Sequence, residues 1–291
     1  MAINSLPHKC GVPNPSGTPH LCGGGTAPGN RPGPEGTLVE LVPASDGSPV
    51  LSTLEDWQLH EYRAVTSTNL IAANLRPWTA VRADVQTNGR GRFQRTWISD
   101  LGGLWLSAVV PVSKYPLMRG ALPLATGLAI YNALRELGVS GLRLRWPNDV
   151  LVNNRKLAGL LIDQFVPDLA VVGIGLNVSN EPEKLDAKLR DSIARLADLV
   201  PEPPKLRQLA DLILRHLRIV LTDLDRNGAA PLFVQVNELW SSPRRVELDL
   251  DGVVRQGLFT GIDEAGRLVL SNSKGMLSFH DAHQVRHLTE I

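Results

Sequence analysis

Three arginines lie within nine residues of one glycine-containing segment, Gly89–Trp97, which reads GRGRFQRTW. Arginine presents five N–H donors in a planar fork that suits phosphate or carboxylate groups, and glycine lets the backbone approach a ligand closely. The segment therefore predicts a flexible lid over an anionic ligand. A solvated surface loop and an arginine patch for nucleic acid are alternatives that this segment alone leaves open.

Four other segments carry polar side chains or glycines at positions where they could take part in chemistry. They are VTSTN (65–69), RWPNDVLV (145–152), RKLAGLLID (155–163) and VVGIGLNVS (171–179). None is specific by itself. The glycine pair in the last segment, for example, lacks the third glycine of a dinucleotide-binding fingerprint, so Gly173 and Gly175 could simply allow close packing.

Each of the other candidates also has a plain structural interpretation. Residues 67–69 could be a helix N-cap before LIAANL, and Asn148 and Asp149 could only form a turn. Lys156 could be a surface lysine at the start of a strand, and Trp97 could be an ordinary core residue.

Taken together, in this order and at these spacings, the segments resemble the biotin–protein ligases. That family has the motifs GRGRxxxxW, [KR]WPND, KLAG and G-x-G-[IL]-N-V. The resemblance covers about residues 57–180 strongly and the C-terminal part weakly. One departure is Arg145, which stands where many relatives have lysine before WPND, and it keeps the positive charge.

The resemblance implies a two-step ligation with ATP and biotin as substrates and Mg²⁺ as cofactor. In the first step the biotin carboxylate attacks the α-phosphate of ATP, which releases pyrophosphate and forms biotinyl-5′-AMP. A lysine of a biotin carboxyl carrier domain then attacks this anhydride, and AMP leaves. Because the two reacting anions repel, catalysis should rest on positioning and charge neutralisation, with the closed loop excluding water.

The resemblance also implies which residues form the site. Arg92 and Lys156 are implied to be catalytic, covering the junction of carboxylate and phosphate. The residues implied to bind biotin are Ser67, Thr68, Asn69, Gln86, Gly89, Arg90, Gly91, Arg92, Lys156 and Gly159. The residues implied to bind ATP or the adenylate are Arg92, Arg95, Trp97, Asn148, Asp149, Lys156 and Asn177. No protein metal site is implied.

The elements that must position these residues follow from hydrophobic pattern and turn signals. Strands are expected at 104–110, 142–146 and 169–178, and two more within 150–163 around an Asn-Asn-Arg turn. Helices are expected at 118–138 and 205–228, each ending at a glycine. We therefore expect an α+β fold: a biotin/lipoate ligase-like catalytic domain with a mixed sheet and helices, plus a small C-terminal SH3-like β-barrel.

Composition divides the chain into three parts. Residues 1–36 contain eight Gly and seven Pro, a content typical of disorder. We expect a largely disordered extension over 1–56, the catalytic domain over 57–240 and the β domain over 241–291. Two His and two Cys in the extension, at positions 8, 10, 20 and 22, could bind zinc, but their spacing matches no familiar zinc finger.

Overall charge and hydropathy exclude several classes of function. Lys+Arg is 30 and Asp+Glu is 29, a net charge of +1, so the chain is not a general polyanion binder. No apolar run approaches the roughly 18 residues of a membrane span, and we see no secretory signal. We expect a cytoplasmic protein that binds biotin, ATP and a carrier domain, neither DNA nor membrane, and that could form a homodimer.

Three other functions were weighed. A lipoate– or octanoate–protein ligase has a related fold, but GRGR, WPND and the C-terminal barrel favour biotin. A bifunctional ligase and transcriptional repressor would need a DNA-binding element, and residues 1–36 have only Lys9 and Arg31 as basic residues besides histidine. A biotin-binding protein without catalysis is disfavoured by the presence of Arg92 and Lys156.

Overall fold

The computed structural model describes residues 47–54, 56–112, 118–181, 191–240 and 243–291. Within these ranges the chain forms an eight-stranded sheet with helices and a five-stranded antiparallel sheet near the C-terminus, which confirms the expected α+β class. The four histidines and cysteines considered for zinc lie outside the described residues.

The eight-stranded sheet is the larger of the two sheets. Its spatial order is β1-β2-β3-β4-β8-β7-β6-β5, with β2 and β3 parallel and the other neighbouring pairs antiparallel. The strands are β1 (Val50–Leu54), β2 (Trp57–Val65), β3 (Thr79–Gln86), β4 (Leu104–Pro111), β5 (Leu142–Arg145), β6 (Asp149–Val152), β7 (Arg155–Val166) and β8 (Leu169–Leu176).

Helices cover the two faces of this sheet unequally. The helices are α1 (Thr68–Ala72), α2 (Met118–Glu136), α3 (Leu206–Asn227) and α4 (Ala229–Trp240). Helices α2, α3 and α4 belong to the main core with one sheet face, whereas short α1 packs over a small apolar cluster on the other. Because strand side chains alternate between faces, Ser107, Gly173 and Asp163 share this second, less covered face with Val109 and Val171.

The helix sequences explain which surfaces are buried. Helix α2 is mostly buried between Ala121 and Leu134, as expected of a helix enclosed by other elements. Helix α3 is amphipathic, and its buried stripe includes Leu209, Ile213 and Leu217. Burying such a side chain fully stabilises the fold by about 1.5–3 kcal/mol, so this stripe holds α3 against α2 and β4.

The C-terminal sheet has the order β12-β11-β10-β9-β13 and forms the β domain that the sequence predicts. Its strands are β9 (Arg244–Leu250), β10 (Val253–Ile262), β11 (Leu268–Ser271), β12 (Leu277–His280) and β13 (His287–Glu290). The expected hairpin at Asp251–Gly252 joins β9 to β10. A 3-10 turn at Ala282–Gln284 precedes β13 and, as described below, contacts the arginine loop.

Buried tryptophans connect the two sheets and the helices. The indole N–H of Trp146 donates to the Gly266 carbonyl at 3.2 Å, and that of Trp240 donates to the Leu144 carbonyl at 3.0 Å. Each ring is buried while its single donor is satisfied. The eight-stranded sheet, α4 and the C-terminal sheet therefore meet in one packed core.

Among the elements that the sequence did not predict are strands β1, β2 and β3 and helix α4. Strand β1 (Val50–Leu54) pairs with β2, although the folded part was expected to begin near Trp57. Most β1 side chains are exposed, so its sequence has little of the apolar alternation that would reveal a strand. Helix α4 (Ala229–Trp240) was not predicted, because Asn227-Gly228 marked an end and no new helix start was recognised after it.

Candidate active site

The arginine loop connects β3 to β4 and is closed by its own backbone. The Trp97 N–H donates to the Gly89 carbonyl at 2.9 Å, and the Gly91 N–H donates to the Arg95 carbonyl at 2.7 Å. At the tip Phe93 has φ of 54°, a left-handed conformation that costs free energy for a residue with a side chain. The loop is thus a defined structure with strain at its tip.

Arg92 reaches from this loop to the C-terminal domain. Its Nη1 donates to Oδ1 of Asn148 at 3.2 Å, and its Nη2 donates to the carbonyls of Val285 at 3.1 Å and Ala282. Burial lowers the pKa of Arg92 from its usual value, and the attraction of Asp149 opposes this shift. A guanidinium stays protonated at neutral pH in proteins, so Arg92 remains a cation.

Arg95 makes a second connection to the same part of the C-terminal domain. Its Nη2 donates to the Arg286 carbonyl at 3.2 Å, and its Nη1 lies 3.5 Å from Nδ1 of His287. Burial lowers the pKa of His287, and the charges of Arg95 and Arg145 lower it further. His287 is therefore neutral at pH 7, and its Nδ1 can accept a hydrogen bond from Arg95.

Next to Arg92 lies a buried carboxylate shared by two cations. Asp149 Oδ1 is 2.6 Å from Nζ of Lys156, and Asp149 Oδ2 is 2.6 Å from Nη2 of Arg145. Burial by itself would raise the pKa of Asp149, but the two neighbouring cations together hold it below its ordinary 3.8. Arg92 also interacts electrostatically with this carboxylate, so three cations lie near one anion and the cluster has a surplus of positive charge.

Trp97 lies across the sheet beside this cluster. Gly159 and Gly175 are opposite each other on β7 and β8, and a Cβ at either would come within 2.8 Å and 2.6 Å of the Trp97 indole, respectively. Nζ of Lys156 lies 5.0 Å from the indole centroid, a cation–π distance. The absence of a side chain at both glycines leaves room for the Trp97 indole. The indole therefore lies beside Gly159, a residue that the resemblance implies to bind biotin.

A chain of neutral hydrogen bonds occupies the other end of the site. Oε1 of Gln86 accepts from the Thr68 N–H at 2.8 Å and from the Thr68 hydroxyl at 3.0 Å. Nε2 of Gln86 donates to the Ser99 hydroxyl at 2.8 Å. Ser67 and Thr68 are buried, and Ser67 stands at the N-cap of α1 without a side-chain capping hydrogen bond. Capping alone therefore does not explain this polar segment.

Ser107 and Asp163 extend this chain across the sheet. The Ser107 hydroxyl lies 2.6 Å from Oδ1 of Asn69 and 2.7 Å from the Thr68 hydroxyl. Nδ2 of Asn69 donates to Oδ2 of Asp163 at 2.9 Å, and Nη2 of Arg90 donates to the same oxygen at 3.1 Å. The predicted residues Thr68, Asn69 and Arg90 thus belong to one network.

The side-chain amides of the two predicted asparagines lie against backbone carbonyls. Nδ2 of Asn148 donates to the Leu160 carbonyl at 2.8 Å, and Nδ2 of Asn177 lies 3.4 Å from the Lys156 carbonyl. Asn148 belongs to the turn between β5 and β6, as the turn interpretation predicts, but its side chain also fixes Arg92. Asn148 therefore positions the Arg92 side chain, and Asn177 lies against the backbone of Lys156.

Sequence reasoning did not assign several residues of this arrangement to the site, among them Ser107, Asp163 and His287. Ser107 had a usable signal, because it is the single polar residue in the buried strand LWLSAVVP. Asp163 follows an apolar run in β7, where a carboxylate needs a partner. His287 lies in the C-terminal domain, far along the chain from the motifs, and nothing near it in the sequence pointed to the site.

Comparison with known proteins gives consistent similarities. Residues 63–177 match the model of the biotin/lipoate A/B protein ligase family. The chain is 34% identical over 199 residues to the biotin–[acetyl-CoA-carboxylase] ligase of Mycobacterium tuberculosis, which covers 65% of this chain and 71% of that protein. It is 28% identical over 253 residues to the bifunctional ligase/repressor BirA of Escherichia coli, which covers 82% of this chain and 77% of that protein.

Similarity to solved structures extends over both domains. The fold matches a biotin protein ligase from Aquifex aeolicus in complex with biotin and ATP, with a TM-score of 0.72 and 25% identity. That match covers 80% of this chain and 99% of the other. A biotin protein ligase from Leishmania major in complex with biotinyl-5-AMP matches with a TM-score of 0.55 and 22% identity, and this second likeness concerns the fold alone.

Proposed function

The chain belongs to the biotin–protein ligase family, and from this premise we propose that it carries out both steps of attaching biotin to a protein lysine. Biotin and ATP form biotinyl-5′-AMP and pyrophosphate. The amine of the acceptor lysine then attacks the biotinyl carbonyl, AMP leaves with the electron pair of the broken anhydride bond, and an amide remains. The acceptor is the carrier domain of a biotin-dependent carboxylase.

The observation that carries the proposal is the cluster in which Arg145 and Lys156 contact Asp149 while Arg92, bonded to the adjacent Asn148, interacts electrostatically with the same carboxylate. A carboxylate and a triphosphate repel each other, so their reaction needs fixed positive charge at the point where they meet. One buried carboxylate between several cations fixes the cations in place without neutralising them all. The surplus charge is then available to the reacting anions.

The neutral network around Gln86 suits the other end of biotin. The ureido ring of biotin has both N–H and C=O edges, and hydroxyl and amide groups can donate to or accept from either. We propose that Ser67, Thr68, Asn69 and Gln86 bind this ring. Two donors close to the site, Nε of Arg90 and Nε1 of Trp97, are buried and have no hydrogen-bond partner among the described residues, so ligand acceptors would satisfy them.

The loop acts as a lid in this proposal. Gly89 and Gly91 form its backbone, Arg90 fastens one side to Asp163, and Arg92 and Arg95 fasten the other to the C-terminal domain. Trp97, lying over Gly159 and Gly175, forms an apolar wall. Keeping water from the adenylate protects it from hydrolysis until the acceptor lysine arrives.

Mg²⁺ does not fit a site built from the protein residues predicted for the nucleotide. Both oxygens of Asp149 face cations, Oδ1 of Asn148 accepts from Arg92, and the described residues include no cluster of three His, Cys, Asp or Glu side chains that could hold a metal. We propose that Mg²⁺ is bound by the phosphates of ATP. Asn148, Asp149 and Asn177 then serve the nucleotide by positioning cations.

The remaining expectations concern partners and location. Within the described ranges, no helix has the length and apolar character of a membrane span. We propose a cytoplasmic enzyme that does not bind DNA, and we leave a homodimer as a proposal that sedimentation can test. A repressor activity would appear as a biotin-dependent, sequence-specific complex with DNA at physiological salt.

The proposal is tested by biotin-dependent ATP–pyrophosphate exchange, followed by transfer to a purified carrier domain. We expect exchange with biotin and a mass increase on one lysine of the acceptor. Lipoate and octanoate are the matched controls, because a lipoate ligase of the same fold would use them. Exchange supported by either acid, but not by biotin, would overturn the assignment.

A further inference from the structure

Asp163 stands outside the chemistry described above, yet it connects two parts of the site. Its side chain is 23% exposed and lies on the less covered face of β7. One oxygen, Oδ2, accepts from Nδ2 of Asn69 at 2.9 Å and from Nη2 of Arg90 at 3.1 Å. Asn69 belongs to the start of α1 and Arg90 to the arginine loop, so this oxygen joins two segments that are not neighbours in sequence.

The carboxylate also decides how the Asn69 amide is oriented. An ionised carboxylate only accepts hydrogen bonds, so the NH₂ end of Asn69 must face Asp163. The Oδ1 end must then face Ser107, whose hydroxyl lies 2.6 Å away. A neutral partner that could also donate would allow the amide to lie either way, because its two ends have nearly the same shape.

The absence of a side chain at Gly173 leaves room for this amide. Gly173 is on β8 between Ser107 on β4 and Leu161 on β7, and a Cβ built there would overlap the Asn69 carboxamide. The amide therefore crosses β8 over Gly173 and reaches from β4 to β7. Asp163 is the anchor at the far end of this bridge.

We propose that Asp163 is a positioning residue for biotin, which fixes the Asn69 amide for the ureido ring and at the same time holds Arg90 of the loop. This inference rests on the proposed placement of the ring at Ser67–Asn69 and Gln86. Because one oxygen serves both partners, biotin recognition and the position of the loop depend on the same carboxylate. Its loss weakens biotin binding more than it slows the chemistry of bound substrates.

The test is Asp163→Asn, which keeps the shape and removes the charge. Asp168→Asn is the matched control, because Asp168 is an exposed carboxylate in the turn after β7. We expect the KM for biotin in the exchange assay to rise by about tenfold, the size of one lost charge-assisted hydrogen bond. The KM for ATP, kcat and the melting temperature should change little, and Asp168→Asn should behave as the parent chain does.

A double-mutant cycle separates positioning from a general structural role. If Asp163 acts through Asn69, then Asp163→Asn should add much less to the biotin KM in an Asn69→Ala background than in the parent chain. Full additivity, or a lower melting temperature with an unchanged biotin KM, would overturn the inference. Should Asp163→Asn fold poorly, Asp163→Ala and calorimetric titration of the folded fraction with biotin give the same comparison.

The same experiments distinguish failure of this inference from failure of the proposed site. Gln86→Ala and Asn69→Ala probe the ring pocket directly. If both leave the biotin KM unchanged, the placement of the ring is wrong. If both raise it and Asp163→Asn does not, the ring pocket stands and the role of Asp163 is rejected.

Discussion

Nζ of Lys156 lies 2.6 Å from Oδ1 of Asp149, so the implied catalytic lysine is held by a buried carboxylate. Arg145 holds the other oxygen of that carboxylate at 2.6 Å. The carboxylate therefore fixes the positions of both cations. Substitution of these residues therefore has two effects, because they contribute both to the charge at the site and to the stability of the fold.

Replacing Lys156 by alanine should slow adenylate formation more than it destabilises the fold. A charge-assisted contact contributes about 1.5–3 kcal/mol, so adenylation should fall by about tenfold or more. Asp149 keeps Arg145 as a partner, which limits the loss of stability. Exchange rates and thermal melting measure the two effects.

The double variant Lys156→Ala with Asp149→Asn is the control for this first prediction. It removes the carboxylate together with the lysine, so any stability lost to an under-paired buried charge should return. Activity should stay low. If adenylation recovered along with stability, Lys156 would have a structural role only.

Asp149→Asn should weaken the dependence of stability on acid. The folded-state pKa of Asp149 lies below its ordinary 3.8, so its ionisation stabilises the fold at pH values above 3.8, and this contribution is lost as pH falls through the folded pKa. The variant should melt lower than the parent chain at pH 7, and the difference should shrink at pH 3 and below. A constant difference across this range would argue against the ion pairs.

Arg92→Gly should release the adenylate into solution faster. Arg92 carries the hydrogen bonds from the loop to Asn148, Val285 and Ala282, so its loss removes one of the two described arginine connections between the loop and the C-terminal domain and leaves that of Arg95. Dissociation of labelled adenylate measures the effect. Arg92→Lys is the matched variant: it keeps the charge but not the planar fork, and its release rate should be intermediate. Unchanged retention in Arg92→Gly would remove the lid role.

Gly173→Ala should raise the KM for biotin, because the new Cβ would displace the Asn69 carboxamide. The matched control is Gly127→Ala in α2, where the added Cβ would lie 3.4 Å from the Leu144 side chain, an ordinary contact. That control should leave the KM unchanged and could raise the melting temperature, since alanine favours a helix over glycine. Equal effects of the two substitutions on the KM would contradict the steric argument.

Two N-terminal truncations should have different effects on activity and melting temperature. Deleting residues 1–46 should leave activity within a few-fold, because that segment is rich in Pro and Gly and cannot bury much apolar surface. Deleting residues 1–54 also removes β1 and bares the backbone edge of β2, so the melting temperature should fall. Tightly bound zinc in the full chain, found by metal analysis, would contradict the expectation for the first segment.

The sequence by itself determined the family and most of the elements. The motifs are contiguous, and β4, β8, α2 and α3 have long apolar or periodic segments, so local pattern was enough to find them. The same local rule failed for β1, which is mostly exposed, and for α4, which follows directly after a helix stop. A hydrophobic pattern cannot identify a strand such as β1, whose stability comes from backbone hydrogen bonds to β2 and not from buried side chains.

Only the tertiary structure decided which side chains meet. Asn69 and Asp163 are 94 residues apart, and Arg92 and Val285 are 193 residues apart, and no spacing in the sequence relates them. Such contacts depend on which strands become neighbours and which sheet face each residue occupies. The motifs therefore named Arg92, Lys156 and Gln86 in advance, whereas the partners of Asp163, Ser107 and His287 required the folded chain, because the sequence near a residue does not identify its partner across a sheet.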